Sequence, residues 1–263
     1  MSLEYATRGL IGILIPQANT TAEPELNLLY PPGVAMIAAR LTSDKDTISA
    51  RLMDYFDNYE ASLRQFANAP VNVVGVACTG ASYLAGRERE EKLIRSLTAR
   101  YGYPFVTAAS AIVDALVLLK AREIGIVSPY SKELTNSSVE YWKDYGFEVI
   151  EIARVESNEP GFHPIYELSS SNAARALRKL ANKRIDAVLM LGTGMPTLGP
   201  LAAAIDWNGP PVLSSNFCLA WRTVVSLDRG PTRASTLTSW IKGDDWLRRL
   251  RLNNPGIIDR SLC

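Results

Sequence analysis

Val71–Leu84 reads VNVVGVACTGASYL. Val71, Val73, Val74, Val76 and Ala77 form a short, mostly β-branched run, the length and composition of a fully buried strand. The run ends at a thiol, Cys78, and then at Thr79-Gly80-Ala81-Ser82, small residues that let the chain turn sharply. A stretch rich in Arg and Glu, Tyr83–Arg100, reads as the following helix. Open α/β sheets hold their ligands at the carboxyl ends of strands, against the first turn of the next helix. Unpaired N–H groups at such a turn attract anions and are expected to lower the pKa of the thiol. An enzyme is therefore the leading reading.

Working outward, Leu10–Ile15 is a strand, followed by the loop Pro16–Thr21 and a helix starting near Glu23-Pro24-Glu25, where acids and proline suit a first turn. Val34–Leu41 reads as a strand. Ile48–Ala67 reads as one helix, with Leu52, Phe56, Tyr59, Leu63 and Phe66 on its apolar face. The strand Phe105–Thr107 and the apolar helix Ala109–Lys120 come after the central stretch. The pattern then restarts. Ile124-Gly125-Ile126 lies 113 positions beyond Ile11-Gly12-Ile13, and Gly192 lies 114 beyond Cys78, a spacing that implies an internal duplication. Between these anchors, Ser138–Tyr145 and Ser169–Lys183 read as helices and Glu148–Ala153 as a strand; Ile185–Leu191 echoes Val71–Ala77. Strand–helix alternation predicts parallel sheets with right-handed crossovers.

Pro211–Ser215 reads as a last strand and Phe217–Ser226 as an apolar helix that folds back onto one half. The expected division is 1–107 plus 211–228 as a first α/β lobe, 108–210 as a second, and 229–263 as a C-terminal extension. In that extension Trp240, Trp246, Leu247 and Leu250 share one helical face, and Arg248, Arg249 and Arg251 the other. The reading favoured is a tail covering the surface or without fixed structure, with partner contact as its rival.

Composition narrows the function. Of 263 residues, Lys and Arg supply 28 and Asp and Glu 27, a net charge of +1, so no global field gathers nucleic acid or an anionic membrane. MSLEYATRG lacks the basic-then-apolar pattern of a secretory signal, and no apolar run approaches the roughly 20 residues of a membrane span. Cys78, Cys218 and Cys263 are scattered and odd in number, which fits a reducing cytoplasm. The one histidine, His163, has no metal-ligand spacing around it and reads as an exposed loop residue.

The duplicated halves resemble the Asp/Glu racemase superfamily, and within it the branch of maleate cis–trans isomerases and arylmalonate decarboxylases. Ile11–Pro16 with Asn19-Thr20-Thr21 carries the resemblance, together with Ala77–Ser82, Ser128-Pro129-Tyr130 with Leu134-Thr135, Met195-Pro196-Thr197 and Ser214-Ser215-Asn216. It covers roughly residues 8 to 226. It implies two pseudo-symmetric lobes, each a short parallel sheet flanked by helices, with the active site between them. It also implies chemistry on a small carboxylate without cofactor or metal. In racemases of this group two cysteines face each other, one from each lobe. Cys78 matches the first, whereas the internal alignment puts Gly192 at the second. The decarboxylases keep one thiol, but at the second-lobe position, so this sequence is the mirror case.

As a thiolate, Cys78 could add to an electron-poor alkene such as maleate, allow rotation about the resulting single bond and be expelled. Thr79 and Gly80 from the first lobe, Thr193 and Gly194 from the second and the Tyr130 hydroxyl are donors for the charge that develops. Asn19 is matched to a family carboxylate clamp, and Asn158 is a weaker candidate of the same type. Each has a structural alternative: Cys78 as a small core residue, Asn19-Thr20-Thr21 as a helix cap, Tyr130 as a packed aromatic, Thr193-Gly194 as a turn. Cys218 reads as core, and the charge run Arg87–Lys92 as a solvated face. The rivals to isomerisation are decarboxylation with Cys78 as proton donor, acyl transfer, and a relative that binds carboxylates without turnover. A homo-dimer or homo-tetramer is the expected assembly.

Overall fold

The computed structural model describes residues 3–155, 164–244, 246–254 and 256. Strands β1 (Gly9–Pro16), β2 (Val34–Leu41), β3 (Val73–Val76) and β4 (Phe105–Thr107) form one sheet, in the order β2-β1-β3-β4. Strands β5 (Glu123–Ser128), β6 (Glu148–Arg154), β7 (Ala187–Met190) and β8 (Val212–Ser214) form another, in the order β6-β5-β7-β8. All pairings are parallel. The two sheets repeat one topology, as the duplication requires. The central strands β1, β3, β5 and β7 are buried nearly throughout, matching their continuous apolar sequences.

Twelve α-helices are described. In the first lobe, α1 spans Ala22–Leu29, α2 Ile48–Asp57, α3 Tyr59–Leu63, α4 Thr79–Ala85 and α5 Arg87–Tyr101. Next come α6 (Ala108–Leu119), α7 (Lys132–Asp144), α8 (Ser170–Arg178), α9 (Leu198–Ala203), α10 (Ser215–Leu227), α11 (Ala234–Ile241) and α12 (Trp246–Asn253).

Four expectations are corrected. The helix expected over Ile48–Ala67 is interrupted at Asn58, whose side-chain amide donates to the Asp54 carbonyl at 2.8 Å; a 3-10 turn, Arg64–Phe66, completes the segment. The helix expected from Tyr83 starts at once after Cys78 and breaks at Gly86, whose φ of +77° favours glycine. That break leaves Thr79–Tyr83 wholly buried at the carboxyl end of β3. The charge run is not a purely solvated face either. Glu90 is 0% exposed and accepts from the hydroxyls of Thr107 (2.6 Å) and Tyr141, and burial raises its pKa. Finally, β8 belongs to the second sheet through its pairing with β7, although α10 does fold back onto β3 and α6.

Residues 229–244 and 246–254 include two helices that pack onto the surface, the first of the two forms expected for this tail. Leu237, Trp246 and Leu250 are fully buried, and the rings of Trp240 and Trp246 stand edge-on to Phe217. Arg249 donates to the carbonyls of Leu28 and Leu29, capping the end of α1. Trp240 and Trp246 meet Phe217 of α10, a contact between remote segments that composition alone does not reveal.

Candidate functional site

The carboxyl ends of both sheets enclose a small cleft. Pro16, Leu52, Tyr55 and Cys78–Gly80 line it from the first lobe; Tyr130, Ile165, Tyr166, Thr193 and Gly194 line it from the second. Its free space is about 30 Å³, room for one or two waters.

Cys78 is the N-cap of α4, with extended backbone geometry, and is 3% exposed. The Ala81 N–H faces the sulfur from the first turn of α4, and the Tyr59 hydroxyl lies beside it with no conventional hydrogen-bond partner. Both favour the thiolate, yet burial outweighs them and pushes the thiol up to about 11. The expected lowering is therefore corrected. Removing the thiol from water costs the charged form more than one amide and one hydroxyl return. The resting group is a neutral S–H.

The donor set spans both lobes. The hydroxyls of Thr79 and Tyr130 are 2.7 Å apart, and burial raises the Tyr130 pKa, keeping that phenol protonated. The Thr193 hydroxyl donates to the Ala77 carbonyl at 2.7 Å and accepts from Asn19 Nδ2 at 3.1 Å. Asn19 Oδ1 accepts from the N–H groups of Thr21 (2.9 Å) and Ala22 (3.0 Å), capping α1. Asn19 is thus both a helix cap and a brace, standing behind Thr193 rather than lining the cleft. Thr21 adds a bond from its hydroxyl to the Gly194 carbonyl at 2.8 Å.

Gly192 does not line the cleft. Its φ is +86°, and a Cβ there would lie 2.6 Å from Ile165 Cδ1 and 2.9 Å from Pro129 Cγ. The second-lobe side chain turned toward the strand end that carries Cys78 is Thr193. Thr79, Gly80, Tyr130, Thr193 and Gly194 therefore gather around Cys78. Asn158, like His163, lies outside the described residues.

Sequence reasoning passed over Tyr55, Tyr59, Ile165 and Tyr166, which supply the cleft's aromatic and apolar wall or touch the thiol. Tyr59 sits on the apolar face of a predicted helix, and nothing in that pattern marks its hydroxyl. Glu25, expected as a first-turn acid, does lie in the first turn of α1 and is buried there. Among the described residues no group of three or more His, Cys, Asp or Glu side chains is gathered as a metal ion would need.

The chain is 27% identical over 233 residues to the maleate isomerase of Pseudomonas putida, covering 84% of this chain and 92% of that protein. The fold superposes on the crystal structure of a Pseudomonas putida maleate isomerase with maleate at a TM-score of 0.77, with 22% identity, covering 90% of this chain and 99% of the other. It superposes at 0.74 on the Nocardia farcinica maleate cis–trans isomerase carrying a covalently bound succinylcysteine intermediate (23% identity, 84% and 93% coverage). The family model for arylmalonate decarboxylase matches residues 11–238, nearly the whole of both lobes, and the chain belongs to that family.

Proposed function

We propose that this chain catalyses cofactor-independent cis–trans isomerisation of a small unsaturated dicarboxylate of the maleate type, with Cys78 as nucleophile. The observation that carries the reading is a cysteine lining the cleft together with the hydroxyl-bearing side chains of Thr79 from its own lobe and Tyr130 and Thr193 from the other. Its maleate isomerase relatives align over most of their length, and one of them holds a succinylcysteine.

The thiol rests protonated, so addition is coupled to proton transfer. As sulfur bonds to one alkene carbon, the π electrons move into the adjacent carboxylate as an enediolate, and the thiol proton passes to an enediolate oxygen. Rotation follows about the new single bond. Expulsion of sulfur re-forms the double bond in the trans geometry and returns the proton. Thr79, Tyr130 and the amides near Gly80 and Gly194 stabilise the enediolate.

A second reading is decarboxylation. It is favoured by the neutral thiol, a ready proton donor, and by the apolar wall of Leu52, Tyr55, Ile165 and Tyr166. Loss of CO₂ would leave the enediolate of a monoacid, held by the same donors and protonated at carbon by Cys78. We also place the protein in the cytoplasm as a homo-dimer or homo-tetramer, supported by its scattered thiols and by the exposed apolar residues Val117, Ile150 and Ile152. Among the described residues no helix is long and apolar enough to cross a membrane.

Proton NMR in deuterated buffer, with maleate and arylmalonates offered to the wild type and to Cys78→Ala, tests the proposal. Fumarate formation that vanishes in the variant supports isomerisation. Loss of a carboxylate with deuterium retained at carbon selects the second reading. Turnover that survives in Cys78→Ala overturns both.

A further inference from the structure

Glu25 is 6% exposed and belongs to α1 of the first lobe, yet its partners come from the second-lobe loop and the start of α10. Oε1 accepts from the N–H of Thr197 and that of Leu198 (3.0 Å); Oε2 accepts from Asn216 Nδ2 (2.8 Å) and the Thr197 hydroxyl (3.0 Å). A carboxylate buried without a cation is costly unless its oxygens are filled by donors, and here each oxygen has two.

Asn216, 1% exposed, donates a second time, to the Thr193 carbonyl at 3.0 Å. Among the described residues its Oδ1 has no partner. The amide is therefore not oriented by any donor to its oxygen; it is oriented by two acceptors, Glu25 and Thr193. Turning it over would set Oδ1 against both. Burial raises the Glu25 pKa against the pull of its four donors; as the carboxylate it can only accept, and in that form it holds the NH₂ end in place. A neutral amide at position 25 could face a turned-over Asn216, and the Thr193 carbonyl would then lose its donor.

We infer that Glu25 is a positioning residue: through Asn216 it seats Thr193 with its hydroxyl on the Ala77 carbonyl, one residue from Cys78. The chain of contacts runs Glu25, Asn216, Thr193, Ala77, and it crosses between the lobes twice. Glu25 touches no cleft atom and acts only through Thr193. The inference rests on the proposed reading of Cys78 as the reacting group.

The test is a double-mutant cycle of Glu25→Gln and Thr193→Val, with Asn216→Ala as a second route that leaves Glu25 intact. Two readouts are taken: kcat and KM with maleate, and the rate ratio of iodoacetate to iodoacetamide at Cys78, mapped by mass spectrometry. The ratio needs no turnover and reports how well the cleft donors hold a carboxylate. Misplacement by about 1 Å costs about 100-fold, so Glu25→Gln is expected to lower kcat by about 10- to 100-fold with KM little changed. The ratio should fall to the value seen in Thr193→Val, and the double variant should be no worse than the poorer single. Asn216→Ala should match Thr193→Val. Effects of Glu25 and Thr193 that multiply overturn the inference, as does a Glu25→Gln protein that loses only melting temperature. If maleate is not turned over by any form, the function proposal fails separately and the alkylation ratio decides this one: a ratio moved by Thr193→Val but not by Glu25→Gln overturns it. Where Glu25→Gln does not fold, Asn216→Ala carries the same cycle.

Discussion

The loop after β3 and the loop after β7 begin from equivalent points and do different things. Ala77 donates to the Leu14 carbonyl of β1 and Leu191 to the Val127 carbonyl of β5, so Cys78 and Gly192 stand one residue beyond the same sheet position. After Cys78 the helix α4 starts at once, placing a backbone N–H over the sulfur. After Gly192 the helix is delayed until Leu198, and the intervening residues reach back to the first lobe through Thr193, Gly194 and Thr197. One loop presents a reactive atom; the other presents donors and the bonds that tie the lobes together. The halves of this duplicated fold thus differ in geometry at equivalent points, where the positive φ of Gly192 and the nearness of Ile165 and Pro129 disfavour a side chain at the second.

The largest effect expected from disturbing this division is at Tyr130, the phenol that meets Thr79 across the lobes. Tyr130→Phe should lower kcat by about 100-fold, the usual scale for deleting one preorganised donor, measured as the initial rate on whichever substrate NMR identifies. A loss below about threefold would mean that the amides of the two loops suffice without the phenol. A smaller effect is expected from forcing the halves to be alike. Gly192→Cys should lower stability by about 2 kcal/mol in urea unfolding, because the new Cβ meets Ile165 and Pro129 at a positive φ. If that variant is as stable as the wild type and its added thiol alkylates alongside Cys78, the two loops are interchangeable after all.

The smallest effect at neutral pH concerns the thiol itself. With Cys78 pushed up to about 11, alkylation by iodoacetamide should climb about tenfold per pH unit between about pH 8 and pH 10, without a plateau. A plateau near neutrality would reveal a thiolate. The same shift is a stability effect. The unfolded thiol titrates near its ordinary value of about 8.5, so the folded state keeps its proton longer. That stabilisation is complete below the unfolded value and is lost as pH rises toward 11, and Cys78→Ala should remove this part of the alkaline slope.

Much of this arrangement is legible in the chain. Four buried apolar runs, the repeated Ile-Gly-Ile and the 113- to 114-residue spacing specify two parallel sheets with one topology, because apolar periodicity and short connections leave few alternatives. The strand end that places Cys78 follows from the same local signals. The rest depended on partners remote in sequence. The thiol's protonation state is a matter of desolvation by the segments packed around it, which outweighs both the N–H of the neighbouring turn and the Tyr59 hydroxyl. Glu25 looks like an ordinary first-turn acid until Asn216, 191 positions away, is brought against it. The C-terminal tryptophans look like a surface tail until Phe217 receives them. The sequence by itself determined the strands, their repetition and the cysteine at a strand end, since these rest on periodicity and backbone preference. Only the tertiary structure decided which second-lobe residue faces Cys78, because that choice is made by steric room and hydrogen bonds between segments that meet only once both lobes have formed.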